Sequence, residues 1–509
     1  MIISLSVLVI TIIVSGTYAL YKAQLSKNIG VNTTTHGLAY YINYVKGTDI
    51  TAATLNPSTS YEGGASSDIE FWKKDDSYDI YGKIELTVNT IGTNLSNSPA
   101  LKYAVVNNGN VLKEGSLKGT TSGSKVTILK NLYLEQTKQI YTVYVWLDNS
   151  EELGNISNES LSISVDCTAS LQKEPAADTI ISLYTSAAKV TATNNSITYN
   201  TAPSVSLMND RLGGTTTSLD GGNIRYYGAS PNNYIYFNCS DYSNQTSSTC
   251  ETWRIIGVFD GKLKLIRGSQ IGNYSWDNKN ISTGAEDDRG KNDWTTARLM
   301  KLLNPDDYYI NDNNDKDSEG NYLGYSLYYN SASGMCFTDE GVNYSACDFT
   351  STGIKNDETR NMIAETTYNL GGWNDTGVYP NEIYEYERGT TVYTGRPTTW
   401  TGKIALAYPS DYGYAADLNQ CKQTLANYDN STCTSNNWMK AIITDNGSNH
   451  GWLLTPDSSY SFGAWYSHGN VGEYFTGAAR GAVPVLSLSS KLGIESGDGS
   501  SSNPYKLSA

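Results

Sequence analysis

The sequence predicts an antiparallel β-sandwich at residues 20–167 and an α+β domain at residues 222–509, joined by a linker at residues 168–221. First, short segments of alternating apolar and polar residues, bounded by Gly, Asn and Ser turns, recur through the N-terminal part. Second, the C-terminal part mixes hairpin and helix signals with six of the seven cysteines. Third, 40 Tyr stand against 7 Phe and only 17% of the residues are charged, a composition common in extracellular β-rich proteins.

The 509-residue chain is acidic, with 36 Lys and Arg against 51 Asp and Glu and a net charge of −15. Nucleic acid and anionic lipid both need a basic face, so this charge argues against either of them as a partner. Three His leave little room for a histidine metal site or for several histidine acid–base groups.

Residues 1–19 are predicted to be an export segment. Ile2–Val14 is an almost unbroken apolar run, and Thr17 and Ala19 suit positions −3 and −1 of a signal-peptidase site before Leu20. No Lys or Arg precedes the run, so a retained membrane anchor stays open as an alternative, with a buried core helix as a third. The membrane is then a partner only through this segment, if it is not cleaved.

The sandwich is predicted from strand-like stretches whose alternating side chains would bury one face and expose the other. These stretches are Leu38–Ile42, Ile84–Val88, Leu101–Val106, Val126–Leu129, Ile140–Leu147 and Leu161–Val165.

The linker at 168–221 is predicted to hold one short helix, Ala176–Ala188, followed by a polar Gly/Thr-rich loop or tether from Asn194 to Gly222.

In the C-terminal domain an Asp260-Gly261 turn joins two strand-like runs and predicts a hairpin. Helical spacing of leucines predicts a helix at Thr295–Leu303, and a second helix is predicted at Thr359–Leu370. Further strands are expected at Trp452–Leu454, Gly463–Tyr466 and Val483–Leu488.

Six cysteines form sequential pairs 11, 11 and 12 residues apart, across polar, turn-rich intervals. Local disulfides are therefore the first choice among the connectivities. A zinc site needs closer spacings, and free thiols remain the other alternative. The predicted pairs are Cys239 with Cys250, Cys336 with Cys347, and Cys421 with Cys433. Cys167 is left over, either buried or cross-linking two chains.

The C-terminal part resembles uncharacterised exported bacterial surface proteins with a C-type-lectin-like or formylglycine-generating-enzyme-like domain. The resemblance rests on motifs spread from about Gly222 to Ala509, and it implies a C-type-lectin-like fold. Family members usually have an Arg where this chain has Ala482-Val483-Pro484. The motifs are Ile224–Tyr234, Trp253–Gly257, Asn292–Trp294 with Arg298-Leu299 and Leu303-Asn304, Gly451–Pro456 and Arg480–Leu488.

The N-terminal part resembles, more weakly, biofilm-matrix fibre proteins of the TasA/camelysin type. The basis is Val14–Leu20 at the signal boundary, followed by an all-β domain. This resemblance implies a jelly-roll sandwich and export, with an immunoglobulin-like sandwich as the other form that the strand pattern allows.

Catalytic signatures are scarce. A Gly-x-Ser-x-Gly elbow, a phosphate-binding loop and a His-Glu-x-x-His motif are absent from the sequence. A hydrolytic arrangement of His450, His468 and Asp457 stays open, although surface histidines are the simpler interpretation. The oxidases of the resembled fold use a reactive cysteine pair that holds copper, whereas Cys421 and Cys433 fit a disulfide.

The acidic segment around Asp315, Asp317 and Glu319, followed by Gly320, imitates the start of a calcium loop. Its twelfth position is Ser326, so the bidentate glutamate is missing. Calcium is thus a candidate ligand here, against a solvated acidic loop, and no other cofactor is expected.

Aromatic side chains among Ser, Gly, His and Asn predict a ligand-binding face between Trp452 and Val485, because such loops form adaptable recognition surfaces and rings stack on sugars. The alternative is that about half of these rings belong to the core. The candidate residues are Tyr460, Phe462, Trp465, Tyr466, His468, Tyr474 and Phe475.

Together these observations predict a secreted or cell-surface recognition or adhesion protein. It would bind a glycan or protein ligand of another cell or matrix through its C-terminal domain, without catalysis. A structural fibre or pilus-like subunit is the first alternative, and a hydrolase or oxidase of the formylglycine-generating-enzyme-like fold is the second.

Overall fold

The computed structural model describes residues 23–25, 41–51, 55–156, 159–212, 222–277, 289–308, 327–336, 345–447 and 449–508. The chain divides into two compact units, Met1–Glu174 and Pro175–Ala509. The export segment predicted at residues 1–19 lies outside the described residues, as does the predicted calcium loop. The helices among the described residues are all too short or too polar to cross a membrane.

The strands described in the N-terminal unit belong to two β-sheets. One sheet has the order β1-β11-β6-β9 with β3 beside β11, and the other has the order β2-β5-β10-β7-β8 with β4 beside β10. Neighbouring strands run antiparallel except β4 and β10. A short helix, Thr93–Asn97, follows β6. The strands are β1 (Ala23–Leu25), β2 (Ile42–Val45), β3 (Ile50–Thr51), β4 (Pro57–Ser58), β5 (Ala65–Lys73), β6 (Tyr81–Ile91), β7 (Leu101–Asn107), β8 (Asn110–Ser116), β9 (Lys125–Tyr133), β10 (Ile140–Asp148) and β11 (Leu161–Ser170).

Strict alternation packs these sheets face to face. In β6 every second residue from Gly82 to Val88 is buried, and β5 alternates in the same way. The buried side chains of both sheets, such as Phe71, Leu86 and Val143, form one hydrophobic core. Each fully buried aliphatic or aromatic side chain contributes about 1.5–3 kcal/mol. The prediction of a β-rich, sandwich-like fold is confirmed at this coarse level.

Cys167 lies in the core of this unit, on β11, and it is a free thiol. Burial, with smaller contributions from Asp166 and Glu85, raises the pKa of the thiol well above its ordinary value. A buried and protonated thiol is a poor nucleophile, so the structure favours a packing role for Cys167 over a cross-link between chains.

The described residues of the C-terminal unit form two larger sheets and three two-stranded ones. The largest has the order β12-β13-β14-β15-β17-β18-β29-β24 with β16 beside β17, and the second has the order β19-β28-β25-β26-β27. The strands are β12 (Val190–Asn194), β13 (Ile197–Ala202), β14 (Leu207–Leu212), β15 (Ile224–Tyr226), β16 (Tyr234–Phe237), β17 (Glu251–Phe259), β18 (Lys262–Arg267), β19 (Asn273–Ser275), β20 (Gly334–Cys336), β21 (Ser345–Cys347), β22 (Thr366–Asn369), β23 (Thr399–Gly402), β24 (Ile404–Ala405), β25 (Gly451–Pro456), β26 (Gly463–His468), β27 (Asn470–Phe475), β28 (Ala479–Gly481), β29 (Val485–Ser487), β30 (Gly493–Ser496) and β31 (Lys506–Ser508).

Short helices connect these strands, so the unit is β-rich with little helix. The helices are Ala176–Ser186, Arg298–Leu303, Asp357–Met362, Pro380–Glu387, Pro409–Tyr414, Ser431–Ser435 and Lys440–Ile443.

The predicted linker at 168–221 differs from the structure. Its first residues complete β11, and the expected helix is present at Ala176–Ser186, with Ile180 and Tyr184 in the core of the C-terminal unit. The described part of the loop or tether predicted from Asn194 is instead largely β13 and β14, which together with β12 extend the largest sheet. Asn195 and Ser196 both have positive φ and form the two-residue hairpin turn between β12 and β13.

The helix predicted at Thr359–Leu370 is also wrong in its second half. The helix covers Asp357–Met362, and the side chain of Asn356 caps it by accepting from the Thr359 backbone N–H at 2.9 Å. The following Thr366–Asn369 is β22, as its β-branched and aromatic residues favour. The helix predicted at Thr295–Leu303 begins three residues later, at Arg298.

The three predicted cysteine pairs are all disulfide-bonded. The Cα–Cα distances are 3.9 Å for Cys239–Cys250, 5.9 Å for Cys336–Cys347 and 4.6 Å for Cys421–Cys433. Disulfides persist in oxidising compartments, so they indicate an extracellular environment.

Candidate ligand-binding surface

The sheet β19-β28-β25-β26-β27 brings aromatic and basic side chains onto one face. Strand register places Trp452 opposite Tyr466, and Ala464 opposite Tyr474. Side chains alternate between faces along a strand, so Tyr466 and Tyr474 share a face with Trp452. Arg480 of β28 lies on the same face. In the antiparallel pairing of β28 with β19, the residue opposite Arg480 is Tyr274.

Arg480 is the centre of this arrangement. Its guanidinium carbon lies 4.1 Å from the ring centroid of Tyr466, 4.3 Å from that of Tyr474 and 5.6 Å from that of Trp452. Only 9% of the residue is exposed. Rings at these distances stabilise a desolvated cation through their negative faces.

Among the described residues, no carboxylate balances the charge of Arg480. The side chain makes no ion pair or hydrogen bond with any residue that the structure describes, and its Nε is buried without an acceptor. Burial lowers the pKa of Arg480 from its ordinary value, while Tyr466 and Tyr474 partly oppose that shift. A guanidinium stays protonated at neutral pH, so this side chain offers unused N–H donors.

Two histidines extend the same face. The rings of His450 and His468 stack at 4.0 Å, and His450 meets the Tyr466 ring at 5.3 Å. Burial, then the charges of Arg480 and His468, lower the pKa of His450. His450 is therefore a neutral imidazole at neutral pH. We call Arg480, His450, Tyr466, His468 and Tyr474 the Arg480 surface.

Three of the predicted ligand-binding residues belong to the Arg480 surface: Tyr466, His468 and Tyr474. Tyr474 is 42% exposed, and His468 is exposed as well. Phe475 is half-buried, and its ring lies 4.2 Å from that of Tyr474. It therefore borders the surface.

Trp465 is excluded from the predicted face. It is fully buried, and its Nε1 donates to the Trp373 carbonyl at 3.2 Å. The cause is strand alternation, which turns Trp465 to the opposite side of the sheet from its neighbour Tyr466 and into a hydrophobic core.

Tyr460 and Phe462 form a separate pair whose rings stack at 5.5 Å. Tyr460 is exposed, and the Arg289 guanidinium lies 3.7 Å from the centroid of Phe462. Of the seven predicted residues, three thus belong to the Arg480 surface, Phe475 borders it, two form this pair and one lies in the core.

Asp457 and Glu473 form a carboxyl pair. Asp457 is buried, and its Oδ1 accepts from the backbone N–H groups of Ser459 at 2.5 Å and Tyr460 at 2.8 Å. Burial first, then hydrogen bonding to Asp457 and the charges of Asp457 and Asp375, raise the pKa of Glu473 to about 8. Glu473 therefore holds a proton next to Asp457 at neutral pH.

The hydrolytic arrangement of His450, His468 and Asp457 gains no support from this geometry. Within the described ranges, Asp457 hydrogen-bonds to its own loop, and neither histidine donates to it. The described residues also contain no group of three or more His, Cys, Asp or Glu that could hold a metal ion. The calcium candidates Asp315, Asp317 and Glu319 lie outside the described residues.

Sequence reasoning did not single out Arg480 or His450 as binding residues. One sequence signal was available for Arg480: it is the one Lys or Arg between Trp452 and Leu486. A lone cation in a long aromatic and neutral stretch has rings as its nearest neighbours, which is the arrangement found here.

Comparisons with known proteins identify no family. No protein-family model matches the chain, and no curated protein matches it. The solved structures that match it include crystal structures of two HCR/D mutants. Each is 12% identical to this chain, and each alignment covers 76% of the HCR/D chain. The alignments cover 51% and 52% of this chain, with TM-scores of 0.16 and 0.15. TM-scores this low support no argument about fold or function.

Proposed function

We propose that this is an exported, non-enzymatic recognition or adhesion protein, secreted or held at the cell surface, whose C-terminal unit binds a glycan through the Arg480 surface. Three disulfides support the oxidising location. The proposal also gives the C-terminal unit a C-type-lectin-like arrangement, as its resemblance implies.

The observation that carries this proposal is the unbalanced guanidinium of Arg480 between two accessible tyrosine rings. Ring faces stack on the apolar C–H surface of a sugar, and guanidinium and imidazole groups hydrogen-bond to its hydroxyls. A ligand that accepts hydrogen bonds from Arg480 would satisfy the buried Nε, whose unmet hydrogen bond is otherwise costly.

Binding of the purified full chain to immobilised glycans tests the proposal. We expect binding to at least one glycan class, weakened about tenfold in Tyr474→Ala and in Arg480→Gln through loss of ring stacking and charged hydrogen bonds. Tyr78→Ala is the matched control, because Tyr78 is a similarly exposed tyrosine of the N-terminal unit.

Equal binding by the control and the two surface variants would place the glycan elsewhere. Absence of glycan binding, together with Tyr474-dependent binding to a protein, would replace the glycan by a protein ligand. Circular dichroism of each variant checks that the fold is retained.

A further inference from the structure

A second arginine of the C-terminal unit lines a cleft that the Arg480 surface does not include. The cleft has a volume of about 450 Å³ and lies among β16, β17, the end of β18 and the helix Lys440–Ile443. Its walls include Tyr234, Arg254, Arg267 and Ser269, together with one carboxylate, that of Glu251. Clefts of this size accommodate small molecules or the terminal group of a larger ligand.

The charge of Arg267 is balanced by the carboxylate of Glu251. Its Nε donates to Glu251 Oε2 at 2.9 Å and its Nη2 donates to Glu251 Oε1 at 3.2 Å, so one carboxylate is bound by both donors. Glu251 also accepts from Asn238 at 3.0 Å and from the Trp253 indole at 3.0 Å. This carboxylate is therefore fully occupied and unavailable to another cation.

Arg254 lacks such a partner. Its Nε donates to Asn233 Oδ1 at 2.5 Å and its Nη2 to the Pro231 carbonyl at 3.3 Å, and both acceptors are neutral. Within the described part of the chain its Nη1 has no acceptor and its guanidinium no carboxylate. The residue is only 7% exposed.

The surroundings hold this guanidinium in place as a cation. Its central carbon lies 3.7 Å from the ring centroid of Tyr234 and 4.9 Å from that of Trp438. Burial lowers the pKa of Arg254 to about 10, which still leaves it protonated at neutral pH. A buried charge without a counterion is costly, and an anionic ligand would remove that cost.

We propose that the cleft beside Arg254 binds the carboxylate of an acidic saccharide. A carboxylate matches the planar donor geometry of a guanidinium, and two N–H donors on one anion give a strong, directional contact. The Tyr234 ring and the hydroxyls of Thr252 and Ser269 line the same cleft and suit the ring and hydroxyl groups of a sugar.

Calorimetric titration of the full chain with D-glucuronate tests this site, with D-glucose as the neutral sugar and acetyl-dialanine as a carboxylate without a sugar. We expect glucuronate to bind, glucose to bind at least about tenfold more weakly, and Arg254→Gln to weaken glucuronate binding about tenfold. Arg211→Gln is the control, since Arg211 is an exposed arginine of the same unit.

Two further variants separate this site from folding effects and from the Arg480 surface. Ser269→Trp places a large ring at the exposed rim of the cleft and leaves the Arg254 side chain in the sequence, so we expect it to block glucuronate while the melting temperature is unchanged. Tyr474→Ala should leave glucuronate binding intact even if it abolishes binding at the Arg480 surface.

Glucuronate binding that survives both Arg254→Gln and Ser269→Trp would overturn the proposal, as would no binding at millimolar glucuronate. Tighter binding of acetyl-dialanine than of glucuronate would also overturn it, because the site would then recognise a peptide carboxylate.

Discussion

At the scale of single residues, the C-terminal unit holds charges in places where ordinary surface chemistry does not put them. Arg480 and Arg254 are buried cations packed on rings, with no carboxylate partner in the part of the chain that the structure describes. Glu473, by contrast, is a largely exposed carboxyl group that keeps its proton and is neutral. Buried uncompensated charges destabilise a fold, so their retention indicates a ligand or a paired function. We propose that the two arginines bind ligands and that Glu473 makes the stability of the fold depend on pH.

Glu473 makes stability depend on pH. Its folded pKa of about 8 exceeds the ordinary value of 4.5, so between these values the folded state holds a proton that the unfolded state has lost. Stability therefore falls as pH rises through this window. In Glu473→Gln the amide still donates to Asp457 but does not titrate, so the fall should be smaller by about 1 kcal/mol, a figure reduced for solvent exposure.

Urea unfolding at about pH 5 and about pH 9 measures this difference. Glu387, with a pKa raised to about 7 mainly by burial, titrates in the same window, but it is present in both proteins and cancels in the comparison. An unchanged pH slope in Glu473→Gln would show that Glu473 is not the titrating group.

At the scale of elements, the sequence pattern predicts those helices, strands and turns that are stabilised by residues close to one another in the chain. The Asp260-Gly261 hairpin was predictable, because both residues have the positive φ that this turn requires. The strands β12 to β14 were not predictable, since their Thr and Asn residues are typical of a loop. Pairing between these strands is what makes them β-structure. Asn194, for example, is 2% exposed and is satisfied by carbonyls more than two hundred positions away.

The side chain of Asn194 connects β12 to residues 418–421 of the same unit. Its Nδ2 donates to the carbonyls of Leu418 at 3.3 Å and Cys421 at 2.8 Å, both buried contacts. Asn194→Ala removes both hydrogen bonds and takes the donor from the buried Cys421 carbonyl, while the Leu418 carbonyl keeps the hydrogen bond from Lys422 Nζ at 2.9 Å. The variant should lower the free energy of unfolding by about 1–3 kcal/mol. Thr193→Ala, at the exposed neighbouring position, should change it by less than about 0.5 kcal/mol.

Chemical denaturation followed by intrinsic tryptophan fluorescence measures both variants. Equal stability of Asn194→Ala and Thr193→Ala would mean that β12 contributes little to the unit.

In the candidate site, too, some features follow from the local sequence, whereas others depend on contacts between segments that are far apart in the chain. Aromatic composition pointed to the stretch between Trp452 and Val485, and alternation within β26 was sufficient to separate Trp465 from Tyr466. Grouping Arg480 with Tyr466 and Tyr474 needs the pairing of β28 with β25, and nothing in the local sequence specifies that pairing. The Arg254 cleft likewise depends on Trp438, which lies far along the chain.

At the scale of the whole molecule, the two units differ in how they are stabilised. The N-terminal unit contains a sandwich core and one buried free thiol, whereas the three disulfides are all in the C-terminal unit. A disulfide that closes a loop of about a dozen residues contributes on the order of 3 kcal/mol.

Reduction should therefore act on one unit alone. We expect a reducing agent to lower the melting temperature of the C-terminal unit by several degrees and to leave that of the N-terminal unit unchanged. Differential scanning calorimetry with and without dithiothreitol resolves the two transitions. A parallel decrease in both transitions would contradict the location of the cross-links.

The account depends on an oxidised C-terminal unit that holds the Arg480 surface in place, and a thiol count tests this most directly. The protein is unfolded in guanidinium chloride without reductant and titrated with Ellman's reagent. The structure predicts one reactive sulfhydryl, Cys167, among the seven cysteines. A count of seven would contradict the disulfides and, with them, the extracellular recognition role.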